Sequence, residues 1–121
     1  MIHRYLVTLL VTAHTVGSPV YASNMEQAEQ LLTAEQYPEA LELIFPMAKA
    51  GNVSAQLRLA NLYYQGQGLE KNYDKAIYWI CRASESDEYL ANKLRISMSL
   101  SMISENYQPT QCSSSLDIIK N

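Results

Sequence analysis

The chain has little of several residue types, and each shortage excludes something. There are only two histidines, His3 and His14, and both lie close to the N-terminus. There are two cysteines, Cys81 and Cys112, too far apart in sequence to form a Cys-x-x-Cys redox pair. Without histidine beside them they do not make a metal-ligand set. Charged residues are only 17% of the chain, and the acidic ones outnumber the basic ones by 12 to 9, so a basic nucleic-acid groove is not expected. No apolar run reaches the length of about 18 residues that a membrane span needs. With 121 residues the chain holds at most one domain, and 48% hydrophobic residues can give that domain a core.

Residues 1–22 have the three parts of an export signal. Arg4 makes a short positive start. An apolar stretch follows from Tyr5 to Val16, diluted by Thr8, Thr12, His14 and Thr15. Gly17, Ser18 and Pro19 then break any helix before Val20-Tyr21-Ala22, whose small first and third residues suit cleavage after Ala22. The rival reading is an amphipathic first helix. The expected product is an exported protein, periplasmic or secreted, beginning at Ser23. Cleavage removes Arg4 and both histidines, moving the net charge from −3 to −4. It also removes every imidazole base, and with it most hydrolase mechanisms.

From Asn24 the pattern is helical throughout. Asn24 reads as an N-cap, with Gln27 three residues on, and Ala28, Leu31 and Leu32 carry the helix to about Gln36. Pro38 opens a second helix through Ala40, Leu41, Ile44, Phe45 and Ala48, with Pro46 inside it and a kink expected there. Gly51-Asn52 separates it from a third helix carrying Ala55, Leu59, Leu62 and Tyr63, which ends at Gly66-Gln67-Gly68. Asn72 caps a fourth helix (Tyr73, Ala76, Ile77, Ile80, Ala83). Ser86 caps a fifth, with Leu90, Ala91, Leu94 and Met98 on one face. The alternation of Ile96, Met98, Leu100 and Met102 with serines has a strand period, but no second strand is available to pair with it, so a helix is expected there too. Beyond Ser104 the sequence reads as a tail.

Tyr37-x-x-Ala40 recurs 36 residues later as Tyr73-x-x-Ala76, Leu41 matches Ile77, and Ala55 matches Ala91. Two helices per unit of this length mark a solenoid. The stretch Asn52–Ala83 resembles a Sel1-like repeat, a relative of the tetratricopeptide repeats. The resemblance rests on Ala55-Gln56, Leu59-Ala60, Leu62-Tyr63, Gly66-x-Gly68-Leu69, Tyr73, Lys75-Ala76, Tyr78-Trp79 and Ala83. Ala60 stands where the family usually has Gly, and Asn72 where it often has an acidic residue. The resemblance implies an all-α fold: a short right-handed α-solenoid of helix pairs over residues 23–104, with a C-terminal tail at 105–121. Gly66 and Gly68 are expected to need positive φ. Tyr63, Tyr73 and Trp79 are expected to supply buried area.

A repeat of this kind is expected to bind proteins on its concave side, which the first helix of each pair lines. The candidates there are Gln56, Arg58, Asn61, Tyr64 and Gln65, with Lys93 and Arg95 extending the face from the fifth helix. Tyr64 is the aromatic candidate for a hot spot. Glu26, Glu29, Glu35, Glu39 and Glu42 form an acidic, solvated face that could steer a basic partner. In an exported protein, Cys81 and Cys112 are expected to pair and staple the tail across the fifth helix. The chain thus reads as a non-enzymatic periplasmic adaptor with no catalytic residue, metal or cofactor. Its expected partner is a protein, either an envelope component or a secreted toxin, with no nucleic acid and no stable membrane insertion. The resemblance implies two further readings. One is an immunity protein that blocks a toxin such as a lipase effector. The other is a β-lactamase-like enzyme, disfavoured by the single cysteine pair and the lack of a Ser-x-x-Lys signature. The apolar end around Met98–Ile103 is a candidate homodimer contact.

Overall fold

A computed structural model describes residues 18–109 and Cys112. These residues form five helices and no strand: α1 (Ser18–Thr33), α2 (Tyr37–Lys49), α3 (Val53–Gln65), α4 (Tyr73–Ser84) and α5 (Glu88–Ser104). Each helix packs on its neighbours in sequence, and α3 also touches α5. This near-neighbour pattern belongs to a short helical-repeat stack of the Sel1 and tetratricopeptide kind.

The helix starts follow capping chemistry. Asn52 Oδ1 accepts the Ala55 N–H at 2.9 Å, and Asn72 Oδ1 accepts that of Lys75 at 2.9 Å, so Asn72 caps as expected and Asn52, placed at the helix boundary, caps as well. At α5 the cap is Asp87, not Ser86, and its carboxylate accepts the Leu90 N–H at 3.0 Å. Ser86 is still engaged in the closing turn of α4, its N–H donating to the Ala83 carbonyl. The expectation at α1 also needs correction. The helix begins at Ser18, so Asn24 and Gln27 lie in its interior and have no helix end to cap. Pro19 falls in the first turn, where a missing N–H costs nothing, so it opens this helix instead of breaking it. The first 17 residues, on which most of the expected export signal falls, lie outside the described residues.

Three helices end in the same hydrogen-bonded device. At α1, the Gln36 N–H reaches the Leu31 carbonyl and the Glu35 N–H that of Leu32, with Glu35 at φ 57°. Gly51 and Asn106 hold the equivalent left-handed positions after α2 and α5. The sequence runs α1 on to Gln36 because its stop residue is a glutamate, which carries no glycine signal. Between α3 and α4, Gly66 and Gly68 both take positive φ, 69° and 70°, as expected. Gly68 is further constrained, because a Cβ there would lie 2.3 Å from the Cβ of Tyr37.

Ile44, Met47, Leu59, Leu62, Ile77, Ile80 and Met102 are the largest fully buried side chains, surrounded by alanines at 28, 40, 48, 55, 60, 76, 83 and 91. These small residues sit within the core, where helices can approach closely. Tyr63 is buried, whereas Tyr73 and Trp79 pack against the core only in part. Residues 96–102 are helical: Ala91, Met98 and Met102 share the buried face, while Ile96 and Leu100 face outward. Leu90, expected on the buried face, is 45% exposed. Cys81 in α4 and Cys112 in the tail stand at disulfide distance, with Cα atoms 5.2 Å apart.

Candidate functional site

α1 and α3 lie across a shallow groove, and α5 closes one end of it. Two recesses meet along a shared line of Glu29, Arg58 and Asn61. One continues over Ser54, Leu57 and Leu94; the other runs over Leu32, Thr33, Tyr37, Leu62, Gln65 and Gln67. At ≈ 260 Å³ and ≈ 250 Å³, neither reaches the size usual for a small-molecule pocket. The α3 contributors Ser54, Leu57, Arg58, Asn61 and Gln65 recur at three- and four-residue steps, so the helix presents them as one stripe.

The centre of the groove is charged but internally paired. Arg58 Nη2 lies 2.6 Å from Glu29 Oε1, and its Nε donates to the same oxygen at 2.7 Å. The two side chains remain 37% and 42% exposed, so water and a partner can reach both. An incoming carboxylate could compete with Glu29 for the guanidinium fork, and an incoming cation with Arg58 for the carboxylate. Leu57 and Leu94 flank this polar line with half-buried apolar surface.

The structure sorts the sequence candidates. Arg58, Asn61 and Gln65 line the groove together. Gln56 does not: it is 2% exposed, and its Nε2 donates to the Ala48 carbonyl at 3.0 Å, so it ties α3 to α2. One helical step from Leu57 turns it off the groove stripe and into the α2 contact. Tyr64 is half-buried and stacks on Tyr73, with ring centroids 5.6 Å apart, because its position follows Ala60 onto the α4 side. Lys93 is exposed on α5 but lines neither recess; the α5 residue that reaches the groove is Leu94. Arg95 borders a different recess, with Ser84, Glu88, Asn92 and Cys112. Glu29 has the opposite history. Its spacing on an acidic helix suggests only a solvated face, and nothing local shows that α3 carries an arginine to meet it.

A second cluster, at the other edge of α4, went unread in the sequence. Tyr73 stacks on Tyr64 and meets Tyr107 edge-on at 5.1 Å. Tyr73 Oη donates to Glu105 Oε2 at 2.5 Å, Lys71 Nζ reaches the same oxygen at 3.2 Å, and Tyr107 Oη donates to Asp74. The Tyr73 hydroxyl, and then the Lys71 ammonium, hold the Glu105 carboxyl below its ordinary range. Burial, and then the Asp74 carboxylate, push the Tyr107 phenol well up. The arrangement pins the chain after α5 to α4. Only the aromatic identity of Tyr107 hinted at it, since hydrogen-bond partners more than 30 residues apart leave no local pattern.

Among the described residues no helix is long and apolar enough to cross a membrane, and no three potential metal ligands converge. Comparison with curated proteins gives no match, and neither does comparison with solved structures. The family model for the Sel1 repeat matches residues 53–88, which span α3, α4 and the start of α5. Repeats of this family are typically non-catalytic and generally mediate protein–protein interaction. The matched segment folds as a helix pair inside an all-helical stack, so residues 53–88 form a Sel1-like repeat.

Proposed function

We propose that the protein is a non-enzymatic binding module of the bacterial envelope that holds a protein partner across the α1–α3–α5 groove. The observation that carries this reading is the Glu29–Arg58 pair at the junction of the two recesses, accessible and flanked by Leu57 and Leu94. A paired arginine beside half-buried apolar surface is the composition of a protein contact, since arginine is enriched at binding hot spots. The export reading of residues 1–22 supports a periplasmic or secreted location. The Cys81–Cys112 geometry is in keeping with it, because such a bridge persists in an oxidising compartment.

Affinity capture from an envelope extract with the C-terminally tagged protein tests the reading, run beside Arg58→Ala and Asn61→Ala. The expected result is one stoichiometric partner retained by the wild type and lost by Arg58→Ala. Retention of that partner by both variants removes the groove from the proposal. A secreted toxin as the partner makes the protein an immunity protein, and an envelope component makes it an adaptor. N-terminal sequencing of the product from cells examines export: a chain starting at Ser23 supports it, and one retaining Met1 in the cytoplasm overturns it.

A further inference from the structure

The Glu29–Arg58 pair uses only half of its carboxylate. Arg58 spends both its Nε–H and its Nη2 on one oxygen, Oε1, where a bidentate fork would have engaged two. Glu29 Oε2 takes no hydrogen bond from any described residue, and the side chain stays accessible. Glu26, one turn earlier on the same side of α1, is exposed and has no ion pair among the described residues. The surrounding helices repeat the sign. From Ser18 to Gln65 the chain carries Glu26, Glu29, Glu35, Glu39 and Glu42 against Lys49 and Arg58.

Along α3 the groove is lined differently. Asn61 and Gln65, with Gln67 just past the helix end, present amide side chains that make no hydrogen bond within the described residues. Each amide offers donors and an acceptor, which is what a peptide group needs in a partner. A helix has already satisfied its own main-chain groups and would leave these amides unmatched. An extended segment brings its N–H and C=O groups free. The lengths agree: the α3 stripe from Ser54 to Gln65 runs about 16 Å, which an extended chain covers with about five residues. Apolar surface borders the polar line on both sides, Leu57 and Leu94 in one recess and Leu32 in the other.

We propose that the groove receives an extended segment of the partner, and that Glu29 Oε2 anchors a lysine or arginine side chain of that segment. This rests on the groove being the binding surface, and it names what that surface selects. A guest ammonium or guanidinium binds the open oxygen while Arg58 keeps Oε1, so no existing bond is broken. A guest carboxylate has unspent Arg58 N–H groups to meet, but it would sit beside Glu29 and close to Glu26, where like charges repel. The acidic surround therefore selects the sign of the guest. Arg58 is a positioning residue: it holds the Glu29 carboxylate across the groove, and its loss leaves the charge but not a fixed anchor.

A random heptapeptide display library selected against the full chain tests the anchor. The sequences enriched should carry lysine or arginine at one common position, with no helical apolar repeat. The enriched peptide, synthesised and titrated by fluorescence anisotropy, should lose roughly tenfold in affinity when that residue becomes norleucine, and as much when Glu29→Gln removes the charge but keeps the shape. Against Glu29→Gln the norleucine peptide should bind no worse than the parent, an outcome that a merely structural role would not produce. Arg58→Lys should restore most of the affinity lost in Arg58→Ala. Asn61→Ala separates the two readings. If it weakens an enriched peptide that is acidic, or that is indifferent to Glu29→Gln, the groove stands and the basic anchor is overturned. If Asn61→Ala, Arg58→Ala and Glu29→Gln all leave binding unchanged, the groove falls and the anchor with it. A library that enriches no sequence overturns the extended segment, while partner capture that depends on Arg58 would still uphold the groove.

Discussion

Gly68 and Gly51 show how far a single position can be constrained. Both take positive φ, but a Cβ at Gly51 would meet nothing within 4 Å, whereas one at Gly68 would run into Tyr37. Gly51→Ala should therefore cost only the left-handed strain of about 1–2 kcal/mol. Gly68→Ala should cost clearly more, because Tyr37 and the start of α2 must shift. Denaturant titration of the two variants checks the order, and equal losses would show that the Tyr37 contact relaxes freely. Gln56 and Arg58 make a similar pair on α3. Gln56→Ala removes the tie to Ala48 and should lower stability by about 1–2 kcal/mol without altering partner capture. Arg58→Ala breaks an exposed ion pair, so it should cost no more than about 1 kcal/mol while abolishing capture. A stability loss in Arg58→Ala as large as in Gln56→Ala would mean that Arg58 is structural.

At the scale of elements, the segment after α5 is the part whose attachment depends on conditions. Glu105 has its carboxyl held below the ordinary value of 4.5 by Tyr73 and then Lys71. The stability this adds is present above the ordinary value and is lost as pH falls through the lower folded-state one. Tyr107 has the opposite sign. Its phenol is raised above 10.0 by burial and then by Asp74, so its contribution is present below that value and lost as pH rises through the folded-state one. The amide shifts of Glu105–Tyr107 should thus be flat near neutrality and move at both extremes, and Glu105→Gln should remove only the acid limb. A bridge between Cys81 and Cys112, 31 residues apart, closes a loop worth roughly 3–4 kcal/mol. Thiol reductant should lower the unfolding free energy of the wild type by that amount and leave Cys81→Ser/Cys112→Ser unmoved. Helix periodicity, the cap at Asn72 and the glycine stops were all legible in the sequence, because each is a local signal. The stop at Glu35, the burial of Gln56 and the docking of Glu105 and Tyr107 were not, because each is settled by residues distant in the chain.

In the whole molecule, helices touch chiefly their neighbours in sequence, so stability should be distributed as in a one-dimensional stack. The groove shows what such a stack does for function: it sets Glu29 against Arg58 and Leu57 beside Leu94, pairings that no single helix contains. The same architecture grades local stability. α3 is flanked by α2, α4 and α5, whereas α1 packs on α2 and meets α3 through the Glu29–Arg58 pair, and α5 keeps Ile96 and Leu100 exposed. Native-state hydrogen exchange should therefore be slowest in α3 and the adjoining turns of α4, and fastest in the first turns of α1. α5 is graded across its width: its inner side rests on Ala91, Met98 and Met102, while Ile96 and Leu100 on the outer side are exposed. Uniform protection across all five helices would show that the stack unfolds as one cooperative unit, with its ends as stable as its centre.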